Sequence, residues 1–373
     1  MNIILCACQV DVRNTNNGDV HSNILAQMNK SERQNHIIQL IEQTQQQDML
    51  ETRELAEQFG VSEMTVRRDL QELSHKGLVR RQHGGVSQSV VARKHERKEI
   101  GVLVAFRSGK YSDPFFNAVL EGVDRKLQEL DCRIAYIKPH SEINTLVQAR
   151  HLLESYTASG IIFLGPLPNA ESTAYLKNNI RALVSTTESL GSDYDTVTFD
   201  GYHGIRYMVD HLVKCGYRRL GFITGHHDFR RKAFLDGVKA YGLPSDAELC
   251  VIAPFGTDGW TPKLGLIGAE QLMKLANPPD AIVCASDLIA IGAIQWLHQH
   301  NIHVPDDIAV TGFDNLTESA FTVPALTTVH VHKQLIGELT VERVIKRIEN
   351  EDGIPLVIQT PTHLVIRQSC RSR

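Results

Sequence analysis

The sequence predicts an α/β protein: a small N-terminal helix-turn-helix head with a β tip, followed by two doubly wound lobes of parallel sheet. Three observations carry this. Apolar residues recur at helical spacing between Glu32 and His75, with a glycine break between two short helices. From Glu99 onward, short apolar runs alternate with longer helical patterns, the signature of βαβ units and a parallel sheet. These units are too many for one modest sheet, so two lobes are expected, with a ligand cleft between them.

The elements follow in chain order. Met1 to Val10 is apolar but lacks a basic leader, and Asp11 to Asn29 is polar and aperiodic. Residues 1–30 therefore read as a disordered segment or an upstream extension. Ile37, Ile38, Leu40 and Ile41 mark a first helix. A second runs from Thr52 to Phe59, with Thr52 as its expected cap. After Gly60-Val61, Ser62 caps a third helix reaching about His75 and stacking Val66, Leu70 and Leu73 on one face. Leu78 to Arg81 reads as a strand and His83-Gly84-Gly85 as a turn. Ser87 to Lys98 is polar, basic and aperiodic, a linker.

Beyond it, the expected strands are Ile100 to Phe106, Arg133 to Ile137, Ile161 to Leu164, Ala182 to Ser185, Val197 to Asp200, Leu220 to Thr224, Ala281 to Ala285 and Ile308 to Gly312. The expected helices are Phe115 to Leu130, Leu146 to Glu154, His203 to Cys215, Arg231 to Tyr241, Leu264 to Leu275 and Leu288 to His298.

Composition excludes several classes. A chain of 373 residues, 42% hydrophobic and 22% charged, supports more than one packed core. The net charge of −4 makes any nucleic-acid surface a local one. No apolar run is long enough for a membrane span. The 7 cysteines form no framework, which predicts reduced thiols in a cytoplasmic protein. Cys6-x-Cys8 has no second pair at finger spacing. His298, His300 and His303, and likewise His330-x-His332, read as surface helix ends and strand faces. No phosphate loop, nucleophile elbow or zinc-protease motif occurs, so neither catalysis, a metal nor a cofactor is expected.

The third helix and the strand after it carry Arg67, Arg68, Lys76, Arg80 and Arg81 against Asp69 and Glu72. Such a local excess suits phosphate contacts, while a helix laid in the major groove reads base edges. The run Leu55-Ala56-Glu57-Gln58-Phe59-Gly60-Val61-Ser62, then Thr65-Val66-Arg67-Arg68-Asp69-Leu70 and Arg81-x-His83-Gly84-Gly85, closely resembles the winged helix-turn-helix of DeoR-family bacterial repressors. The resemblance implies a recognition helix with Thr65, Arg67 and Arg68 and a wing from Arg80 to Gly85. The DNA-binding candidates are Ser62, Met64, Thr65, Arg67, Arg68, Gln71, Arg80, Arg81 and His83.

A second resemblance covers most of the remainder. Ile100-Gly101-Val102-Leu103-Val104, Asp113-Pro114-Phe115-Phe116, Gly216-Tyr217-Arg218-Arg219-Leu220-Gly221-Phe222-Ile223, Ala285-Ser286-Asp287, Gly312-Phe313-Asp314-Asn315 and Pro324-Ala325-Leu326-Thr327-Thr328-Val329 are similar to the LacI/GalR effector domain. That family implies a two-lobed, periplasmic-binding-protein-like fold that holds sugars, nucleosides or purines between its lobes. By motif, the ligand-binding candidates are Phe115, Phe116, Arg230, Phe255, Ser286, Asp287 and Asp314. Either phenylalanine of the first pair suits the core equally. Arg231 lies one residue from the motif arginine, and Asp287 either caps the next helix or meets ligand.

The implied domains are residues 31–88 for the DeoR-type head, 89–98 for a linker and 99–373 for the effector domain. Lobe one takes about 99–199 and 330–359; lobe two takes about 200–329 and 360–373. Chain crossings are expected near Asp200, Val329 and Thr360. The mixture departs from both families. The LacI hinge helix is absent, as is the DeoR sugar-phosphate-isomerase-like domain, so the linker must carry the signal. Asp113 also replaces the usual Asn.

Together these readings predict a ligand-responsive, DNA-binding transcriptional regulator. A repressor of a sugar or related carbon-source operon is expected, as a cytoplasmic homodimer with operator DNA and a small sugar-like effector as partners. The effector acts as inducer or as corepressor. The alternative is a solute-binding receptor for a sugar transporter, which the head argues against; an enzyme with an Asp287–Asp314 pair lacks a supporting motif.

Overall fold

The computed structural model describes residues 29–43, 49–75, 79–82, 85–88, 98–105, 113–226, 228–254, 259–349 and 353–372. The chain divides into two compact units, Met1–Arg97 and Lys98–Arg373. Phe255, His83, the linker residues 89–97 and residues 1–28 lie outside the described residues.

The first unit contains α1 (Lys30–Gln43), β1 (Leu50–Glu51), α2 (Thr52–Phe59), α3 (Glu63–His75), β2 (Val79–Gln82) and β3 (Gly85–Gln88). Ile37, Ile41, Leu55, Phe59, Val66, Leu70, Leu73, Val79 and Val86 close its core. The expected Thr52 cap does not form. Thr52 is already helical and buried, and Glu51 precedes it with extended backbone and no side-chain cap bond. Gly60 ends α2 at φ 62°, where its N–H reaches the Ala56 and Glu57 carbonyls. A side chain there would strain that left-handed turn. Ser62 does cap α3: its Oγ accepts the Thr65 N–H at 3.2 Å.

The small sheet runs β1-β3-β2, with both β3 pairings antiparallel. Two of its strands go beyond the sequence expectation. β1 is only Leu50–Glu51, and β3 turns Ser87 and Gln88, expected in the linker, into ladder residues. Neither segment has an alternating apolar run; pairing around Val86 creates them.

The second unit has two parallel sheets. The larger orders its strands β14-β8-β7-β6-β4-β5, comprising Val357–Thr360, Asp195–Phe199, Leu183–Thr186, Gly160–Leu164, Glu99–Val104 and Arg133–Pro139. The smaller is β10-β9-β11-β12, comprising Cys250–Ile252, Leu220–Thr224, Ala281–Cys284 and Ala309–Thr311. An antiparallel ribbon, β13 (Thr328–Val331) with β15 (Thr362–Val365), completes the strands. The helices are α4 (Pro114–Glu129), α5 (Leu146–Ser155), α6 (Ala170–Asn179), α7 (Gly201–Lys214), α8 (Phe229–Ala240), α9 (Pro262–Met273), α10 (Asp287–Gln299) and α11 (Lys333–Glu349).

The chain leaves the larger sheet between β8 and α7, returns between β13 and α11, and leaves again between β14 and β15. The ribbon therefore lies on the crossings. Helix α11 locks lobe one from behind. Asp195, fully buried at the start of β8, accepts bonds from Arg343, Arg347 and the Leu356 N–H. Gly122 and Gly337 let α4 and α11 cross closely, because a Cβ on either would strike the other helix's backbone.

Candidate functional site

Two surfaces collect the candidate residues, one in each unit. In the first unit, α3 buries Val66, Leu70 and Leu73 and turns Met64, Arg67, Arg68 and Gln71 outward. The two acids of this region are not on that outward face. Asp69 is buried, with Arg33 Nε at 2.7 Å from one carboxylate oxygen and Gln34 Nε2 at 3.2 Å from the other. Glu72 takes Lys30 Nζ at 2.6 Å and Gln34 Nε2 at 3.1 Å. Helix α1 thus neutralises both acids and fixes the rotation of α3. Arg67 pairs along its own helix with Glu63 at 3.2 Å. Arg68 has no partner among the described residues. Ser62 and Thr65 bond to each other at 2.9 Å. Arg80 and Arg81 sit in β2 opposite Ser87 and Val86, and Arg81 is exposed.

The second surface lies at the carboxyl ends of the parallel strands, where open α/β sheets bind ligands. Loops after β4, β8, β9, β11 and β12 bring Asp113, Phe199, Arg230, Ser286 and Asp314 there. Phe115 is half-buried, with its ring 5.9 Å from Phe199. Phe199 in turn lies 6.0 Å from Phe229 and 5.9 Å from Phe313, so an aromatic row joins the lobes. Phe116 belongs instead to the core of lobe one, packed against Gly165.

Of the two adjacent arginines, Arg230 is the one at these strand ends. It is only 8% exposed, and its guanidinium lies 4.4 Å over the Trp260 ring and 5.8 Å from Phe313. Asp228, which caps α8, holds it at 2.6 Å, and the Ala285 carbonyl accepts a further bond at 3.0 Å. Arg231 faces elsewhere, toward Cys250, where its charge bears on that thiol.

Asp314 is 7% exposed at φ 107°. Its N–H donates to the Val329 carbonyl at 2.9 Å, and its own carbonyl accepts from Lys333 Nζ at 2.5 Å. Its carboxylate accepts no hydrogen bond from the described residues. Burial and the nearby Asp287 push that carboxyl well above the usual range, against the pull of Arg230 and Lys333. A buried acid that lacks a protein donor is a group awaiting one.

Ser286 and Asp287 do other work. Ser286 caps α10, accepting the Ile289 N–H at 3.3 Å. Asp287 does not cap that helix; it is the helix's first residue and is fully buried. One oxygen accepts the Leu316 N–H at 2.7 Å and the other the Thr328 hydroxyl at 2.5 Å, tying β13 to lobe two. Burial pushes Asp287 up to about 7. The Asp287–Asp314 pair therefore does not form a carboxylate dyad open to substrate.

Sequence reasoning missed Trp260, Asp228, Phe199, Phe313 and Lys333. Trp260 is one of 2 tryptophans and follows a glycine in a loop, a signal visible only in hindsight. Among the described residues, no three His, Cys, Asp or Glu side chains are placed to hold a metal ion. No helix among them is long and apolar enough to cross a membrane.

Comparison with known proteins adds independent findings. Residues 33–89 match the DeoR-like helix-turn-helix domain family, and residues 209–370 match the periplasmic binding protein-like domain family. The HTH-type transcriptional repressor MelR of Bacillus subtilis is 27% identical, over 86% of this chain and 98% of its own length. The HTH-type transcriptional repressor PurR of Photorhabdus laumondii is 26% identical, over 76% of this chain and 84% of its own length. A solved transcriptional regulator CelR–cellobiose complex superposes with a TM-score of 0.65 at 22% identity, covering 82% of this chain and 90% of that one. That likeness shows the fold.

Proposed function

We propose that this protein is a ligand-responsive DNA-binding transcriptional regulator, a repressor of a sugar or related carbon-source operon. The α3 face and β2 contact operator DNA, and the cleft of the second unit takes the effector. The carrying observation is the buried, donor-free Asp314 carboxyl beside Arg230, whose guanidinium lies over the Trp260 ring. An aromatic face beside fixed charged groups suits a ring bearing hydroxyls. Arg230 is paired with Asp228, and Lys333 donates to the Asp314 and Asn315 carbonyls, so both cations are already engaged. A neutral polyol or sugar fits that arrangement better than an anion.

The repressor relatives support the regulatory role, and the helix-turn-helix match argues against a transporter receptor. A cytoplasmic homodimer with two heads fits tight operator binding, because dimers reach two half-sites. Effector binding then changes operator affinity through the relation of the lobes.

A thermal-shift screen of the full chain against sugars, polyols, sugar phosphates and nucleosides tests this reading. A ligand at 100 times its Kd stabilises by about 2.7 kcal/mol. For a unit of this size that is on the order of 2–4 °C per kcal/mol. Asp314→Ala and Arg230→Ala should each abolish the shift while the protein stays folded. A neutral sugar that shifts wild type and both variants alike would remove the cleft from the effector role.

A further inference from the structure

The ribbon on the lobe crossings carries a histidine cluster that the effector site does not explain. His330 lies on β13 and His332 one residue past its end, while His363 is the direct cross-strand partner of His330. Their ring centroids stand 4.7 Å (His330–His332), 4.8 Å (His330–His363) and 5.5 Å (His332–His363) apart. The alternate residues Val329 and Val331 are buried in the core.

His330 is also wired to the cleft. Its Nδ1 lies 2.9 Å from Asn315 Nδ2, and Arg367 donates to Asn315 Oδ1 at 2.7 Å. A guanidinium has only donors, so Asn315 must turn its oxygen to Arg367 and its amino group to His330. The His330 Nδ1 is then a bare acceptor, and the ring is neutral. Asn315 follows Asp314, and both hold positive φ, 50° and 107°. That conformation is costly for residues other than glycine. Lys333 Nζ clamps the same turn through the Asp314 and Asn315 carbonyls, at 2.5 and 3.3 Å.

We propose that His330 is a positioning residue for the Asp314 turn, and that the His330–His332–His363 cluster places that turn under proton control. This rests on the reading of the cleft as the effector site and names a regulation of it. Protonation would set an N–H against the Asn315 amino group and break the relay from Arg367. It would also add a charge beside Lys333 on α11, His332 just past β13 and His363 on β15, each of which disfavours it, with Asp314 the acidic neighbour across a backbone bridge. The turn would then leave its strained conformation and withdraw the carboxylate. The cluster is not arranged to take a metal instead, since Nδ1 of His330 is committed to Asn315.

The sign follows from linkage. Burial, then Lys333, His332 and His363, lower His330 to about 4, against an ordinary value near 6.5. The ordered turn is favoured above the ordinary value and loses that advantage as pH falls toward the lowered one. Taking the ordinary value for a released His330, the ordered state should be about tenfold less favoured at pH 5.5 than at pH 7.5.

Amide hydrogen exchange of the full chain, read by mass spectrometry and corrected for intrinsic rates, measures this without any ligand. Wild-type protection of the peptide holding Asp314 and Asn315 should drop about tenfold between those pH values. His330→Gln keeps an acceptor for Asn315 and cannot titrate, so the drop should vanish; Asp287, raised to about 7, favours the ordered state as pH falls and cannot supply it. His363→Gln should shrink the drop by removing a neighbour that disfavours protonation of His330. His300→Gln, a ring stacked on Trp296, should behave as wild type. A level wild-type profile, or an equal drop in His330→Gln, would overturn the proposal. A blank sugar screen would instead count against the effector reading, because exchange reports the relay whether or not a ligand is found.

Discussion

Asp69 shows how one residue changes meaning once its surroundings are known. In the sequence it offsets the basic excess of the recognition helix; in the structure it is buried and held by Arg33 and Gln34. A pattern gives charge but not partner, so Asp69 was legible as an acid on α3 while the residues that hold it were not. The ion pair fixes the helix rather than contributing net stability, since burying two charges offsets most of their attraction. Removing one partner is different. Asp69→Ala should cost about 3–5 kcal/mol by removing the buried carboxylate that Arg33 and Gln34 hold. A head this small has little more than that to lose. Circular dichroism of a head fragment should show it largely unfolded. The double replacement Arg33→Met with Asp69→Leu should recover most of the loss, and failure to recover would assign the site to specific hydrogen bonding rather than to charge burial. Asp287 carries the same lesson in reverse, since its motif position suggested ligand or cap and its oxygens instead hold Leu316 and Thr328.

At the scale of the element, periodicity was most informative where one face is buried. Helix α3 and the strands of both parallel sheets are legible because their apolar residues recur at the spacing their geometry demands. Strands β1, β3 and β10 are too short to show a period, and α11 mixes buried Lys333 and Arg343 into its inward face. The outward face of α3 carries a prediction of its own. Met64 is 72% exposed in its first turn, the one exposed large hydrophobic among the described residues of the first unit. The opening residues of a recognition helix reach base edges, and an apolar side chain there selects the thymine methyl. Deoxyuridine in place of the contacted thymine, in an operator selected from a random pool, should weaken binding three- to fivefold, roughly one methyl of burial. Met64→Ala should weaken binding to the thymine operator similarly and become indifferent to the swap. Arg68→Ala should lower affinity and flatten its salt dependence. Equal uracil sensitivity in Met64→Ala would place Met64 off the bases.

For the whole molecule, the order of domains and the two-lobed architecture were legible because each unit closes its own core from its own residues. The finished cleft was not. Its groups come from strand ends far apart in sequence, and the contacts that decide their roles, Arg230 on Trp260 and Lys333 on the Asp314 turn, are tertiary. The same division bears on regulation. Head and cleft are separate units, so communication between them is a coupling free energy and must be reciprocal. If effector changes operator affinity by some factor, operator must change effector affinity by the same factor. Couplings of about 1–3 kcal/mol give roughly 5- to 150-fold. Titrating effector into the full chain alone, and into the chain saturated with operator, should give two dissociation constants with that ratio. Fluorescence anisotropy with labelled operator, with and without saturating effector, supplies the factor from the other side. With the effector unit, Lys98–Arg373, titrated without the head, the effector dissociation constants with and without operator should be equal. A factor of one in the full chain, with both ligands bound tightly, would mean two functions sharing a polypeptide without a switch.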